Sequence, residues 1–154
     1  MKILTRLSFL FISISIILNF PTRALGALGQ NEDSVDKDIK TLSGTRISLT
    51  NDEFTIHQIT TSTNIIKEYV SKDGVIFGIS WRGRVHPDLS VLLGSYFDEY
   101  KNTEANSAKQ KGHAPIELKT SNLHIEKSGH MRDLRGRAFD PNLIPKGLTE
   151  GVIQ

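Results

Sequence analysis

Arginine, histidine and aromatic side chains concentrate in two short segments of this sequence, residues 81–84 and 129–137. Between Lys127 and Arg137 there are four Lys/Arg residues and one acid, Asp133. Guanidinium groups bind carboxylates and phosphates through paired hydrogen bonds, and an aromatic side chain adds a stacking surface. The two segments therefore predict a surface that binds an anion. The candidate ligand-binding residues are Trp81, Arg82, His130, Arg132 and Arg137.

A second interpretation of the same residues needs no ligand. Trp81 would then belong to the core, and the arginines would pair with Asp88, Glu117 and Asp133 on a solvated sheet face. Exposed charge pairs commonly do no more than this.

Metal binding and covalent catalysis find little support in the residue pattern. His124 and Glu126 share one face of a predicted strand and could supply two ligands, but a metal site needs three or four. The sequence contains no cysteine, no serine in a nucleophile elbow and no glycine-rich phosphate loop. We therefore predict no metal, no cofactor and no catalytic residue.

The elements that must position these side chains follow from hydrophobic periodicity. A short helix is predicted over residues 35–43, between Ser34 as N-cap and Gly44 as stop, and a longer amphipathic helix follows Pro87 and extends to Tyr100. Strands are predicted from β-branched and aromatic alternation. They cover residues 54–60, 64–70, 75–81, 116–120, 123–127 and 131–138, and a further strand is possible at 46–49. The predicted fold class is α+β, an antiparallel sheet of about six short strands packed against one main amphipathic helix, with a short N-terminal helix.

Alternation in the strand 75–81 predicts that its large side chains Val75, Phe77, Ile79 and Trp81 lie on one face, under the long helix. Asp73-Gly74 is the predicted turn before the strand 75–81, and Ser128-Gly129 is the predicted turn between the strands 123–127 and 131–138. Residues 102–114 are predicted to form a mobile loop, and residues 140–154, with Pro141 and Pro145, an irregular strap.

The N-terminus carries the features of a secretory signal peptide, residues 1–26. Lys2 and Arg6 precede a run of fourteen mostly apolar residues, 7–20, which is shorter than the roughly 20 that a membrane span needs. Cleavage is predicted after Gly26, with Ala24 as the alternative, and a retained anchor is the competing interpretation. The 19 basic residues then lose three, leaving 16 against 17 acidic residues, a net charge of −1 in place of +2. The remaining single domain, 27–154, is expected in the periplasm or outside a Gram-negative cell, without nucleic acid or stable membrane insertion.

Two blocks of the sequence, from Trp81 to Phe97 and from Gly129 to Ala138, are the most specific part of a pattern that extends over about 27–148. This pattern resembles an exported proteobacterial family known only as domain of unknown function 2844. The resemblance implies export from a Gram-negative cell and supplies no catalytic residues.

Two functions remain open on the sequence. The first is a small exported binding or interaction module without evident catalysis, whose partner is an envelope protein or an anionic glycan. The second is an envelope enzyme acting on an anionic substrate, with His130 as acid or base and Arg132 or Arg137 holding the anion.

Overall fold

A computed structural model describes residues 27–107 and 115–154. The expected signal peptide and residues 108–114 of the predicted loop lie outside the described residues. The helices are α1 (Val35–Leu42), α2 (Leu89–Leu93) and α3 (Phe97–Asn106), with short 3-10 turns at Glu32–Ser34, Gly94–Tyr96 and Glu150–Val152. The strands are β1 (Thr45–Thr50), β2 (Phe54–Thr60), β3 (Asn64–Ser71), β4 (Ile76–Gly83), β5 (Ile116–Lys119), β6 (His124–His130) and β7 (Asp133–Phe139).

The seven strands form one antiparallel sheet in the order β1-β2-β3-β4-β7-β6-β5. It consists of two meanders, β1–β4 and β5–β7, whose last strands pair with each other. The α+β class is confirmed, and the possible strand at 46–49 is present as β1.

The helices cover one face of this sheet, which we call the helix face. Its core joins side chains of all three helices to those of the central strands. The largest contributors are Ile66, Ile79, Trp81, Leu92, Leu93 and Ile125, all at most 3% exposed. Among the described residues, no helix has the length and apolarity required to cross a bilayer.

The predicted long helix is interrupted at Gly94. Gly94 has φ 50° and ψ −114°, a conformation that residues with a Cβ avoid, so α2 ends there and α3 begins at Phe97. Asp88 caps α2 by accepting a hydrogen bond from the Ser90 amide at 2.9 Å. α3 continues to Asn106, so the first five residues of the predicted loop are helical.

The predicted start of α1 is confirmed, whereas its end lies one residue earlier and both predicted caps differ. The helix occupies Val35–Leu42, but Ser34 belongs to a preceding 3-10 turn and its side chain makes no capping hydrogen bond. Ser43, with φ 53°, takes the left-handed position that was assigned to Gly44. Gly44 instead donates its amide to the Ile39 carbonyl at 3.0 Å.

Phe77 does not share a face with Ile79 and Trp81, contrary to the alternation prediction. The register between β3 and β4 shifts, so that Gly78 pairs with Tyr69 but Ile76 pairs with Val70. Phe77 is the extra residue of this bulge, and a bulge inverts strict alternation. It packs with Tyr69 on the other side of the sheet.

This second side, which we call the open face, is covered over only part of its area. Leu143, Ile144, Leu148, Val152 and Ile153, in the segment 140–154, pack over Tyr69, Phe77 and Phe139. Beyond this cover, Ile47, Leu49 and Ile65 remain 60%, 57% and 43% exposed.

The turn between β6 and β7 lies three residues later than predicted. β6 continues through Gly129 to His130, which pairs with Asp133, and Met131-Arg132 forms the turn. Arg132, the second residue of this turn, has φ 69°, in the left-handed region that residues with a Cβ seldom adopt. His130 and Arg132 therefore lie at a hairpin tip.

Candidate functional site

The five predicted site residues occupy three different places. Trp81 is in the core of the helix face, only 3% exposed, and its Nε1 donates to His86 Nδ1 at 3.3 Å. Its neighbour Arg82 lies on the open face, as alternation along β4 requires. His130 is exposed at the end of β6, four positions along this strand from Glu126, the cross-strand partner of Arg137. Four residues of strand span about 13 Å, so His130 and Arg137 are not assembled into one cluster.

A groove of about 510 Å³ lies on the open face, next to the end of the segment 140–154. Trp81, Arg82 and Arg137 from the predicted set line it, although the Trp81 side chain packs in the core of the helix face. The charged residues in its lining are Lys67, Arg82, Glu126, Arg135 and Arg137, and its apolar side chains include Ile65 and Ile153. Four cations and one carboxylate thus line the groove. A second carboxylate, Asp133, binds Arg82 and Arg135, which leaves an excess of two positive charges.

Carboxylates hold the arginines of the groove in fixed orientations. Arg137 binds Glu126 with two hydrogen bonds, Nη2 to Oε1 at 2.7 Å and Nε to Oε2 at 2.9 Å. Asp133 accepts from Arg135 Nη2 at 2.8 Å and from Arg82 Nε at 2.7 Å. The hydrogen bond from Arg135, followed in size by that from Arg82, lowers the pKa of Asp133 to about 2, so this carboxylate stays charged.

Three hydrogen-bond donors converge at the other end of the groove on one backbone oxygen. The Gln154 carbonyl accepts from Tyr69 Oη at 2.6 Å, Ser80 Oγ at 2.8 Å and Lys67 Nζ at 3.2 Å. This donor set, with a cation among its members, matches the oxygen of a carboxylate or phosphate.

A second, more open depression of about 540 Å³ adjoins the groove along Arg82. Arg84, Arg132 and Asp133 line it together with residues 61–65 of the β2–β3 turn. Arg132 thus joins Arg82 here, whereas His130 lines neither depression.

Sequence reasoning missed Lys67, Ser80 and Arg135 as site residues. Alternation alone places Arg135 and Arg137 on one face of β7. Their position beside Arg82 and Ser80 depends on the pairing of β4 with β7, which joins residues more than fifty positions apart. No local signal in the sequence specifies that pairing.

A cluster of metal-ligating residue types occupies the end of the open face near β5. His124 Nε2 lies 3.1 Å from Glu117 Oε1 and 3.2 Å from Glu126 Oε1. His124 and Glu126 were the pair considered in the sequence, and β5 supplies the third member, Glu117, which was not predicted. The hydrogen bond from Lys119 is the largest cause that lowers the pKa of Glu117.

A further polar chain, Ser48–His57–Glu32, lies beside α1. His57 Nδ1 is 2.8 Å from Ser48 Oγ, and Nε2 is 2.7 Å from Glu32 Oε1. These are the residue types of an acyl-transfer relay. However, neither depression described above includes any of the three, and we interpret the chain as a link between the 3-10 turn at Glu32–Ser34 and β2.

Two acids are buried together on the helix face, Asp38 of α1 and Glu68 of β3, at 3% and 0% exposure. Burial first and the nearby Asp38 second raise the pKa of Glu68 to about 8. Burial likewise raises the pKa of Asp38 to about 7. Neither Glu68 oxygen has a hydrogen-bond partner among the described residues, so burial favours the uncharged, protonated acid, and neither side chain is accessible to a ligand.

A family model described as protein of unknown function (DUF2844) matches residues 24–153. No curated protein and no solved structure matches the chain.

Proposed function

Since the chain belongs to the DUF2844 family, whose description assigns no activity, we propose from its own surface that it is a small binding module for an anionic ligand. The ligand occupies the groove on the open face. The observation on which this proposal rests is the lining of that groove, with four cations and a single carboxylate.

The arginines suit this role because they are oriented before a ligand arrives. Asp133 holds Arg82 and Arg135, and Glu126 holds Arg137. A guanidinium group has five N–H donors, so each arginine keeps donors for a ligand while its carboxylate fixes its plane. Orientation in advance lowers the entropy lost when a ligand binds.

An anionic glycan fits the groove better than a small inorganic anion. The groove combines spread positive charges with the apolar side chains of Ile65 and Ile153 and with hydroxyl and amide groups of Ser80, Ser128 and Gln154. Sugar rings present apolar faces and hydroxyl groups, and uronate carboxylates would match the guanidinium groups.

The enzyme hypothesis has weaker support. It combined His130 with Arg132 and Arg137, but His130 lies at the hairpin tip, outside the lining of both depressions. The groove contains cations that can hold an anion, whereas an acid or base poised over it would have to come from Glu126, which Arg137 already binds.

We infer that the protein is exported to the periplasm or beyond. The support is the sequence of residues 1–26 with its basic start, short apolar run and small residues before the cleavage site. Cleavage is expected after Gly26, with Ala24 as the alternative position. The mass of the protein recovered from the periplasm distinguishes the two products from an uncleaved anchor.

The binding proposal is tested by calorimetry with a matched pair of probes, hexagalacturonate and its methyl ester. We expect the charged probe to bind and the neutral ester to bind at least tenfold more weakly, with affinity falling as salt rises. The double variant Arg82→Gln/Arg135→Gln should lose most of the binding. Its control is Lys72→Gln/Lys146→Gln, which removes the same charge from exposed positions outside the groove. Equal binding of the two probes, or equal loss in both double variants, would contradict the proposal.

A further inference from the structure

We propose that Glu117, His124 and Glu126 form a binding site for a divalent transition-metal ion of the zinc type. This goes beyond the binding of an anion in the groove, and it rests on the geometry of three side chains at the β5–β6 end of the open face.

Strand register brings the three ligands together. Glu117 pairs directly with Glu126, and Lys119 pairs with His124, so all four side chains project from the same face. Two carboxylates at directly opposed positions of an antiparallel pair repel each other. A cation between them removes this repulsion, and the imidazole of His124 lies where it can share in binding one.

The distances match those around a tetrahedral ion. Zinc binds histidine nitrogen and carboxylate oxygen at about 2.0–2.2 Å, so neighbouring ligand atoms in a tetrahedron are about 3.4 Å apart. His124 Nε2 is 3.1 Å from the Glu117 oxygen and 3.2 Å from the Glu126 oxygen. The three ligand atoms all lie within 4.8 Å of one another. The carboxylate oxygens need to approach by at most about 1.4 Å to reach this spacing, and the partly exposed side chains of Glu117 and Glu126 have room to do so.

The histidine is held as metal-binding histidines commonly are. Its side chain is only 7% exposed, and its ring packs on Phe139 with centroids 4.6 Å apart. Its other nitrogen, Nδ1, lies 3.8 Å from Glu150 Oε2. A carboxylate on the far side of the ring favours the tautomer that directs the Nε2 lone pair toward an ion.

Outer groups also orient the carboxylates. Arg137 binds Glu126 from the groove side, and hydrogen-bonded carboxylate ligands of this kind are common around bound metals. Lys119 Nζ is 2.5 Å from Glu117 Oε1, but its side chain is 61% exposed, so it can leave for solvent when an ion binds. The ion binds the Nε2 lone pair while Nδ1 keeps its proton toward Glu150, and a water molecule completes four-coordination.

The inference is tested with Zn²⁺ alone, added to the protein expressed from its full-length sequence after treatment with a chelator. We expect one ion to bind per chain and the ring nitrogen signals of His124 to shift in ¹⁵N NMR spectra. Glu117→Gln, which changes a half-exposed side chain and should leave the fold intact, is expected to weaken binding at least tenfold.

The matched controls are His130→Ala and Glu53→Gln, an exposed histidine and an exposed acid outside the cluster. Both should bind Zn²⁺ like the unchanged protein. The inference is overturned if Zn²⁺ leaves the His124 signals in place, or if His130→Ala weakens binding as much as Glu117→Gln does. No anion is present in this experiment, so its failure would leave the glycan proposal untouched, and the reverse is equally true.

Discussion

The two faces of the sheet treat carboxyl groups in opposite ways. On the helix face, Glu68 is fully buried beside Asp38, and burial raises the pKa of both. On the open face, Asp133 is exposed between two guanidinium groups, which lower its pKa. The sheet therefore has a protonated carboxyl group, that of Glu68, on one side and a permanently charged carboxylate, Asp133, on the other. Both faces carry carboxyl groups, so residue type does not explain the difference in their pKa values. The helices bury one face of the sheet, whereas the other face remains accessible to ligands.

The largest expected effect comes from the helix face, where Trp81 lies against the backbone of Gly136. A Cβ at this position would lie 2.2 Å from the Trp81 ring and 2.7 Å from the Glu126 carbonyl oxygen. We expect Gly136→Ala to lower the free energy of unfolding by about 2–3 kcal/mol, because a rigid core cannot accept the added atom. Denaturant unfolding followed by circular dichroism measures it.

Gly151→Ala is the matched control, since its nearest neighbour would be 3.5 Å away and its backbone is not in the left-handed region. It should leave the unfolding midpoint nearly unchanged. Equal stability of the two variants would mean that the ring does not lie on the strand, and the described core of the helix face would be wrong.

The second-largest effect is expected for Glu68, whose protonation distinguishes the helix face from the open face. The pKa of Glu68 in the folded protein, about 8, lies above its ordinary value of 4.5. Its contribution to stability is therefore complete below about pH 4.5 and is lost as the pH rises through 8. Glu68→Gln removes this dependence, so the variant should be more stable than the unchanged protein at pH 9, by about 1–2 kcal/mol, and no more stable at pH 4.5.

Unfolding by denaturant at pH 4.5, 7 and 9 tests this prediction, with Glu53→Gln, at an exposed acid, as control. The gain should increase with pH in Glu68→Gln alone. A constant difference between variant and unchanged protein across this range would show that Glu68 does not hold a proton in the folded state.

The smallest effect is expected on the open face. Asp133→Asn removes the partner of Arg82 and Arg135, but all three side chains are at least 43% exposed. Solvent and salt screen such pairs, so the midpoint of thermal unfolding at pH 7 should change far less than in Gly136→Ala. Because the pKa of Asp133 is lowered, any contribution is present above the ordinary value of 3.8 and disappears as the pH falls toward 2.

Thermal unfolding at pH 7 and pH 2, each with and without 1 M salt, measures the difference, and Asp52→Asn is the exposed control. The variant and the unchanged protein should converge at pH 2. A destabilisation as large as that of Gly136→Ala would remove the contrast between the faces.

Local sequence patterns predicted most of the elements but little of their arrangement. Alternation and turn residues placed β2 at its observed limits and the other strands within a few residues. The bulge at Phe77 was not predictable, because it depends on the register between β3 and β4. Gly94 lies inside the predicted helix, but its interruption of the helix follows from a backbone angle that glycine permits without requiring.

The candidate site was predicted in part for the same reason. Arg82 and Arg137 were selected by composition, and β4–β7 pairing brings them to one groove. The β6–β7 pairing separates His130 from Arg137, because the hairpin turn lies at Met131-Arg132 and Arg137 pairs with Glu126. Glu117 and Lys67 carry no local signature and gain their positions only from strand register.

The contact between Trp81 and Gly136 has a practical consequence. Trp81 is the only tryptophan in the sequence, and it lies at the seam where the β1–β4 meander joins the β5–β7 meander. Its fluorescence therefore reports whether β4 and β7 remain paired, and so whether the two meanders form one sheet. A red shift of the tryptophan emission while the far-ultraviolet circular dichroism signal persists would show that the two meanders separate before either one unfolds.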